Sequence, residues 1–129
     1  MILILVKMQS KKLKLTLHGW SANTVSRSEG YAFKAFTPEE ARKKIISLGK
    51  NIPLILVCPQ LDWSWSDVAN EVAGVITDHG TRVSRGSEVS GIVQVPAVLG
   101  TRNATSEIKE GDYITIACEG VEALAKVFS

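Results

Sequence analysis

The sequence predicts an α/β fold: a three-layer β/β/α sandwich with a mostly parallel central sheet. Three observations lead to it. The chain opens on β-rich segments, its middle alternates β-α-β-α-β-α-β, and it ends in a hairpin pattern. Strands alternating with helices argue for a partly parallel sheet covered by helices. The β-rich flanks argue for an added β layer.

Each element has its own signal. Residues 1–8 (MILILVKM) read as a strand. Residues 12–17 alternate, with Leu13, Leu15 and Leu17 on one face and lysines and Thr16 on the other, as in a half-buried strand. Residues 18–30 are polar and mixed, with Gly19, Ser21, Asn23 and Ser26, and read as a loop. Residues 31–36 alternate again, Tyr31, Phe33 and Ala35 sharing a face. A helix follows over 38–48. Thr37 can cap it, Pro38 suits its first position, Glu40 completes a capping box, and Gly49 can end it.

Residues 53–58 (PLILVC) form a continuous apolar run, the pattern of a strand covered on both faces. Residues 59–65 read as a loop, and Ser64 or Ser66 can cap a helix reaching Ala73. A short buried strand is expected over 74–77 and a polar loop over 78–83. Ser84 opens a helix to about Val93, weakened by Gly86 and Gly91. A strand over 96–99, a loop over 100–105 and a turn at 110–112 follow. Strands over 113–118 and 121–128, joined by Glu119-Gly120, complete the chain.

Composition narrows the function. The 129 residues fit one domain, residues 1–129. A net charge of +2 is too small to argue for nucleic acid. Lys11, Lys12 and Lys14 sit on an alternating segment, and Arg42, Lys43 and Lys44 lie near the end of a predicted helix, where they would complement its dipole. Cys58 and Cys118 each end an apolar run without a CxxC pair. Free buried thiols are therefore expected, with no metal site and no cofactor. A disulfide between strands is the other possibility. The first apolar run is too short to span a bilayer, and its charge follows rather than precedes it. The expectation is a cytoplasmic protein with no membrane partner.

The segment 74–101 (GVITDHGTRVSRGSEVSGIVQVPAVLGT) is the richest in possible chemistry. A buried strand, a polar loop with a glycine and a helix opened by serine can present backbone amides to an anion. Arg82 and Arg85 would add charged donors. The same order also serves as a plain connection. Elsewhere, His18 reads as structural or solvated, Trp20 as a possible contact surface, and one of Trp63 and Trp65 as core.

This segment resembles the phosphohistidine swivelling domain of phosphoenolpyruvate-utilising enzymes, found in phosphoenolpyruvate synthase, pyruvate phosphate dikinase and enzyme I of the sugar phosphotransferase system. Val75-Ile76-Thr77-Asp78 and Gly80 are similar to the opening of its signature. Ser84 is similar to the residue before its histidine, and Val95-Pro96-Ala97-Val98-Leu99-Gly100-Thr101 to its closing strand. Asn103-Ala104-Thr105, the run from Ile108 to Ile116, Glu119-Gly120-Val121 and Asp62-Trp63 extend the resemblance to 26–128. Residues 1–25 stand apart as N-terminal strands and a loop.

The resemblance implies a swivelling-domain-like sandwich. It also implies that the phosphoryl-accepting histidine falls at position 85, which holds Arg85. Guanidinium stays protonated and is a poor nucleophile. Thr81 and Val83 also depart from the pattern. The sequence has neither a nucleotide loop with lysine nor a barrel, so it is expected not to be catalytic by itself. One reading is a stand-alone, non-catalytic module. It would bind a phosphate-containing ligand through Gly80, Thr81, Arg82, Ser84 and Arg85, or dock on a phosphoenolpyruvate-utilising or nucleotide-binding phosphotransferase. A second is a phosphocarrier subunit of a split phosphotransferase using His79. A third is a purely structural interaction domain.

Overall fold

Seven strands close on themselves in a computed structural model that describes residues 12–22, 25–49, 51–80 and 91–129. In chain order these are β1 (Leu13–Ser21), β2 (Val25–Lys34), β3 (Leu54–Cys58), β4 (Gly74–Thr77), β5 (Ala97–Leu99), β6 (Tyr113–Glu119) and β7 (Glu122–Phe128). Helix α1 (Pro38–Leu48) joins β2 to β3. A 3-10 turn (Trp63–Trp65) runs into α2 (Ser66–Ala69) before β4, and α3 (Ala104–Glu107) follows β5. Around the ring the order is β1-β5-β4-β3-β2-β6-β7. The strand predicted over 1–8 and most of the helix predicted over 84–93 lie outside the described residues; Gly91 and Ile92 at that helix's end are helical.

The sheet is mixed, which corrects the expectation of a mostly parallel one. Strands β2 to β5 pair in parallel, whereas β1–β5, β1–β7, β2–β6 and β6–β7 are antiparallel. The flanking strands do not form a separate sheet. They hydrogen-bond onto both edges of the parallel stretch and so remove those edges.

Most of the loop predicted over 18–30 is strand for the same reason. Residues 18–21 extend β1, with His18, Gly19 and Trp20 opposite Leu124, Ala123 and Glu122. Residues 25–30 begin β2, running from Val25 opposite Glu119 to Gly30 opposite Ile114. Gly19 and Gly30 mark close backbone approaches rather than flexible turns. A Cβ at Gly19 would fall onto the Leu99 carbonyl oxygen, and one at Gly30 onto that of Pro53. Glycine in a strand often marks such a corner.

The parallel strands are buried on both faces. Leu54, Leu56 and Cys58 of β3 pack with Phe33, Val75, Leu99 and helix residues Ala41, Ile45, Trp65 and Val68. Ile55 and Val57 point the other way, into the ring, with Ile76, Val98, Ile114, Ile116, Ala125 and Val127. Ala104 and Ile108 join that interior cluster. A continuous apolar run is what two covered faces require.

Helix α1 begins as its sequence predicts. Thr37 Oγ1 accepts from the Glu40 amide at 3.1 Å, and Pro38 occupies the first position. The Glu40 carboxylate reaches one residue beyond the usual box, accepting from the Phe36 amide at 2.6 Å. Gly49 ends the helix at φ +88°. The basic run does not lie in the last turn. Lys44 instead binds Glu110 Oε1 at 2.8 Å and the Lys34 carbonyl at 2.6 Å. The helix expected to reach Ala73 is a single turn, α2. Asp62, rather than either serine, caps the preceding 3-10 turn by accepting from the Ser64 amide at 2.8 Å. Trp65 is core and Trp63 is exposed. Both cysteines are free and buried.

Candidate functional site

Strands β3, β4 and β5 run parallel, so their C-terminal ends, Cys58, Thr77 and Leu99, emerge on one side. Ligands of such sheets gather at this end of the strands. The segment with the richest sequence signal leaves β4 here through Asp78, His79 and Gly80.

The two chain exits from β4 and β5 are stitched together. The Thr77 carbonyl accepts from the Thr101 amide at 3.0 Å and from Thr101 Oγ1 at 2.9 Å. Thr77 Oγ1 donates to the His79 carbonyl at 2.7 Å and accepts from the Gly100 amide at 3.3 Å. Asp78 is buried, and both of its carboxylate oxygens are used by Thr105. Oδ1 accepts from the Thr105 amide at 2.8 Å, and Oδ2 accepts from Thr105 Oγ1. The Asp78 carbonyl accepts from the Arg102 amide at 2.8 Å. A buried carboxylate persists only when its oxygens are satisfied, and here the partners are 27 residues away in sequence.

Packing holds the loop start as closely. Gly100 adopts φ +72°, and a Cβ there would fall onto the Gly80 carbonyl oxygen. Any side chain at position 100 would push the two exits apart. The His79 amide donates to the Pro59 carbonyl at 2.9 Å, which ties the loop to the exit of β3 as well. The His79 side chain is exposed.

Of the residues singled out in the sequence, Gly80 and His79 sit at this exit. Thr81, Arg82, Ser84 and Arg85 lie outside the described residues. Cys58, at the neighbouring exit, is not a nucleophile at neutral pH. Burial pushes its thiol well above the usual range, and the Asp78 carboxylate adds to the shift. Among the described residues no group of three histidine, cysteine or acidic side chains could hold a metal ion. Nor is any of their helices long and apolar enough to cross a membrane.

The supporting network of Thr77, Asp78, Thr101 and Thr105 had no role assigned from sequence. A signal was present: hydrogen-bonding side chains stand directly after two short apolar strands, where exposed strand ends need partners.

Comparison with known proteins identifies a family. The family described as PEP-utilising enzyme, mobile domain, matches residues 51–120. A phosphoenolpyruvate synthase of Aquifex aeolicus is 34% identical over 110 residues, covering 67% of this chain and 13% of that protein. A pyruvate kinase of Geobacillus stearothermophilus is 33% identical over 87 residues, covering 67% of this chain and 14% of that protein. The phosphoenolpyruvate synthase of Deinococcus radiodurans is 34% identical over 64 residues, covering 50% of this chain and 8% of its own. The chain thus spans a small fraction of the length of these relatives. A solution structure of an enzyme I protein overlaps 54% of this chain and 29% of its own at 25% identity, with a TM-score of 0.39, too slight a likeness to bear on the fold. On the strength of the matched residues and the sequence relatives, this chain belongs to the mobile-domain family of PEP-utilising enzymes.

Proposed function

We propose that this mobile domain has exchanged its phosphoryl-accepting histidine for Arg85 and acts as a non-catalytic module. In this reading it binds a phosphate-bearing group and docks on a phosphoenolpyruvate-utilising or nucleotide-binding phosphotransferase. The observation that carries the reading is the position of Arg85. It follows Ser84 between an opening, Thr77-Asp78-His79-Gly80, and a close, residues 96–101, that resemble the family's signature, within the residues matched by the family. The hydrogen bonds of Thr101 with Thr77 and of Thr105 with Asp78 support the reading, since they give the loop a firm root.

A guanidinium cannot take up a phosphoryl group as neutral imidazole does, but it holds phosphate through two parallel charged hydrogen bonds. Gly80, Thr81, Arg82, Ser84 and Arg85 form the proposed anion site. The cytoplasm suits the reading, since both cysteines are free thiols. Calorimetric titration with inorganic phosphate and with phosphoenolpyruvate tests it. Saturable binding that weakens about tenfold or more in Arg85→Ala is expected, the loss of one charged pair. Binding unchanged in that variant would refute the anion site. A stable partner complex without ligand binding would leave a purely structural domain.

A further inference from the structure

A second site lies on the outer face of the antiparallel strands. Residues alternate along β1, so Leu17 is buried in the ring while Thr16, His18 and Trp20 face outward. Leu124 and Glu122 of β7 stand opposite His18 and Trp20 on the same face, and Ala117 and Glu119 of β6 continue it. The segment from Gly100 to Asn103 rises beside these strands as a wall. Together they line an open depression of about 800 Å³, within the roughly 300–1,000 Å³ of small-molecule sites.

Its charged side chains do not pair with one another among the described residues. Arg102 is the only non-glycine residue at positive φ among the described residues, at +81°. Among those residues its guanidinium makes no ion pair, although Glu119 and Glu122 line the same cleft. Glu119 pairs instead with Arg27 at 3.6 Å, and Glu122 has no ion pair among the described residues. Asn103 occupies the position before α3, yet its side chain makes no capping hydrogen bond. Trp20 is 37% exposed. A Cβ at Gly100 would lie 3.5 Å from its Cδ1, so the Gly100 backbone borders the ring.

We propose that this cleft binds a small aromatic phosphate of the nucleoside monophosphate type. The flat ring would lie on Trp20, where stacking is tolerant of ring identity. The phosphate would meet Arg102, with His18 and Asn103 as further donors, and sugar hydroxyls would donate to Glu122. The site is separate from the one proposed at Arg85 and stands or falls without it. The two are close, because Gly100 lines this cleft and its backbone also touches Gly80.

The test is titration of the full chain with adenosine monophosphate, followed by calorimetry, with adenosine and inorganic phosphate as separate arms. Saturable binding of the whole nucleotide, tighter than either part, is the expected result. Arg102→Gly keeps the amide bonded to Asp78 and suits the positive φ, so it removes the cation without strain. It should weaken nucleotide binding about tenfold and leave adenosine binding unchanged. Trp20→Leu should weaken adenosine and nucleotide alike. Arg85→Ala should weaken inorganic phosphate at the other proposed site and leave adenosine binding unchanged, which separates the two sites. Absence of saturable binding, or equal affinity in Arg102→Gly and the unaltered chain, would overturn the proposal.

Discussion

The parallel strands β3 to β5 and the antiparallel strands β1, β6 and β7 share one ring but stand in different surroundings. The parallel strands are covered by helices on one side and by the ring interior on the other, and every residue of β3, β4 and β5 is buried. The antiparallel strands are buried only in part; Ala123, Ala125 and Val127 of β7 point inward while Glu122 and Lys126 are exposed. Full burial leaves no room for polar side chains within the parallel strands. Their polar groups collect where the chain leaves the sheet, at Thr77, Asp78 and Thr101. The contrast teaches why the candidate phosphate loop is rooted where it is: a rigid apolar layer ends abruptly in a dense hydrogen-bonded seam.

Substitutions in the two regions should separate them. Ile76→Ala empties a fully buried position inside the ring and should cost about 3–4 kcal/mol in denaturant unfolding. Leu124→Ala, on the half-buried outer face of β7, should cost about 1 kcal/mol. Equal losses would mean that the two regions are packed alike. At the seam, Asp78→Ala strips both partners from Thr105 and should cost about 2–3 kcal/mol. Because the loss is local, faster amide exchange at residues 101–105 than in β6 and β7 is the accompanying signature. A uniform change would place Asp78 in the general stability of the ring rather than in the seam.

Smaller effects sharpen the picture away from the seam. Thr37→Ala removes the cap of α1 and should cost about 1 kcal/mol, read as a lower unfolding midpoint with an unchanged denaturant slope. Tyr113 on β6 donates its hydroxyl to Glu29, and burial first, then that bond, raises its pKa well above the usual range. The folded state therefore holds this proton more tightly than the unfolded chain. Its contribution is complete below the ordinary tyrosine pKa, near about 10, and is lost as pH rises beyond it. Burial raises the Cys58 thiol with the same sign. Tyr113→Phe should flatten only the part of the alkaline slope above about pH 10, measured by unfolding across that range. An unchanged slope would remove Tyr113 from the account.

Much of this fold is legible in the sequence where one physical signal dominates. The apolar run ending in Cys58 and the cap at Thr37-Pro38 fall where the structure has β3 and α1. The mixed sheet is not legible in the same way, because pairing direction depends on which distant strands meet. The misread residues, 18–21 and 25–30, are polar strands with glycines. Their strand state is imposed by partners about 90 to over 100 positions away, such as Glu119 opposite Val25 and Leu124 opposite His18. The seam is legible as a motif but not as a function. Nothing local to Asp78 says that its carboxylate will be closed by Thr105.

The central proposal is that Arg85 holds the position of the family's phosphoryl-accepting histidine and takes up no phosphoryl group. It is tested by incubating the chain with phosphoenolpyruvate labelled in its phosphoryl group and a phosphoenolpyruvate-utilising phosphotransferase, with His79→Ala and Arg85→His alongside. The account predicts no acid-labile label on the unaltered chain or on His79→Ala, and label on Arg85→His, which puts an imidazole at the proposed acceptor position. Acid-labile label on the unaltered chain that vanishes in His79→Ala would contradict the account and make this domain a phosphocarrier with its histidine moved.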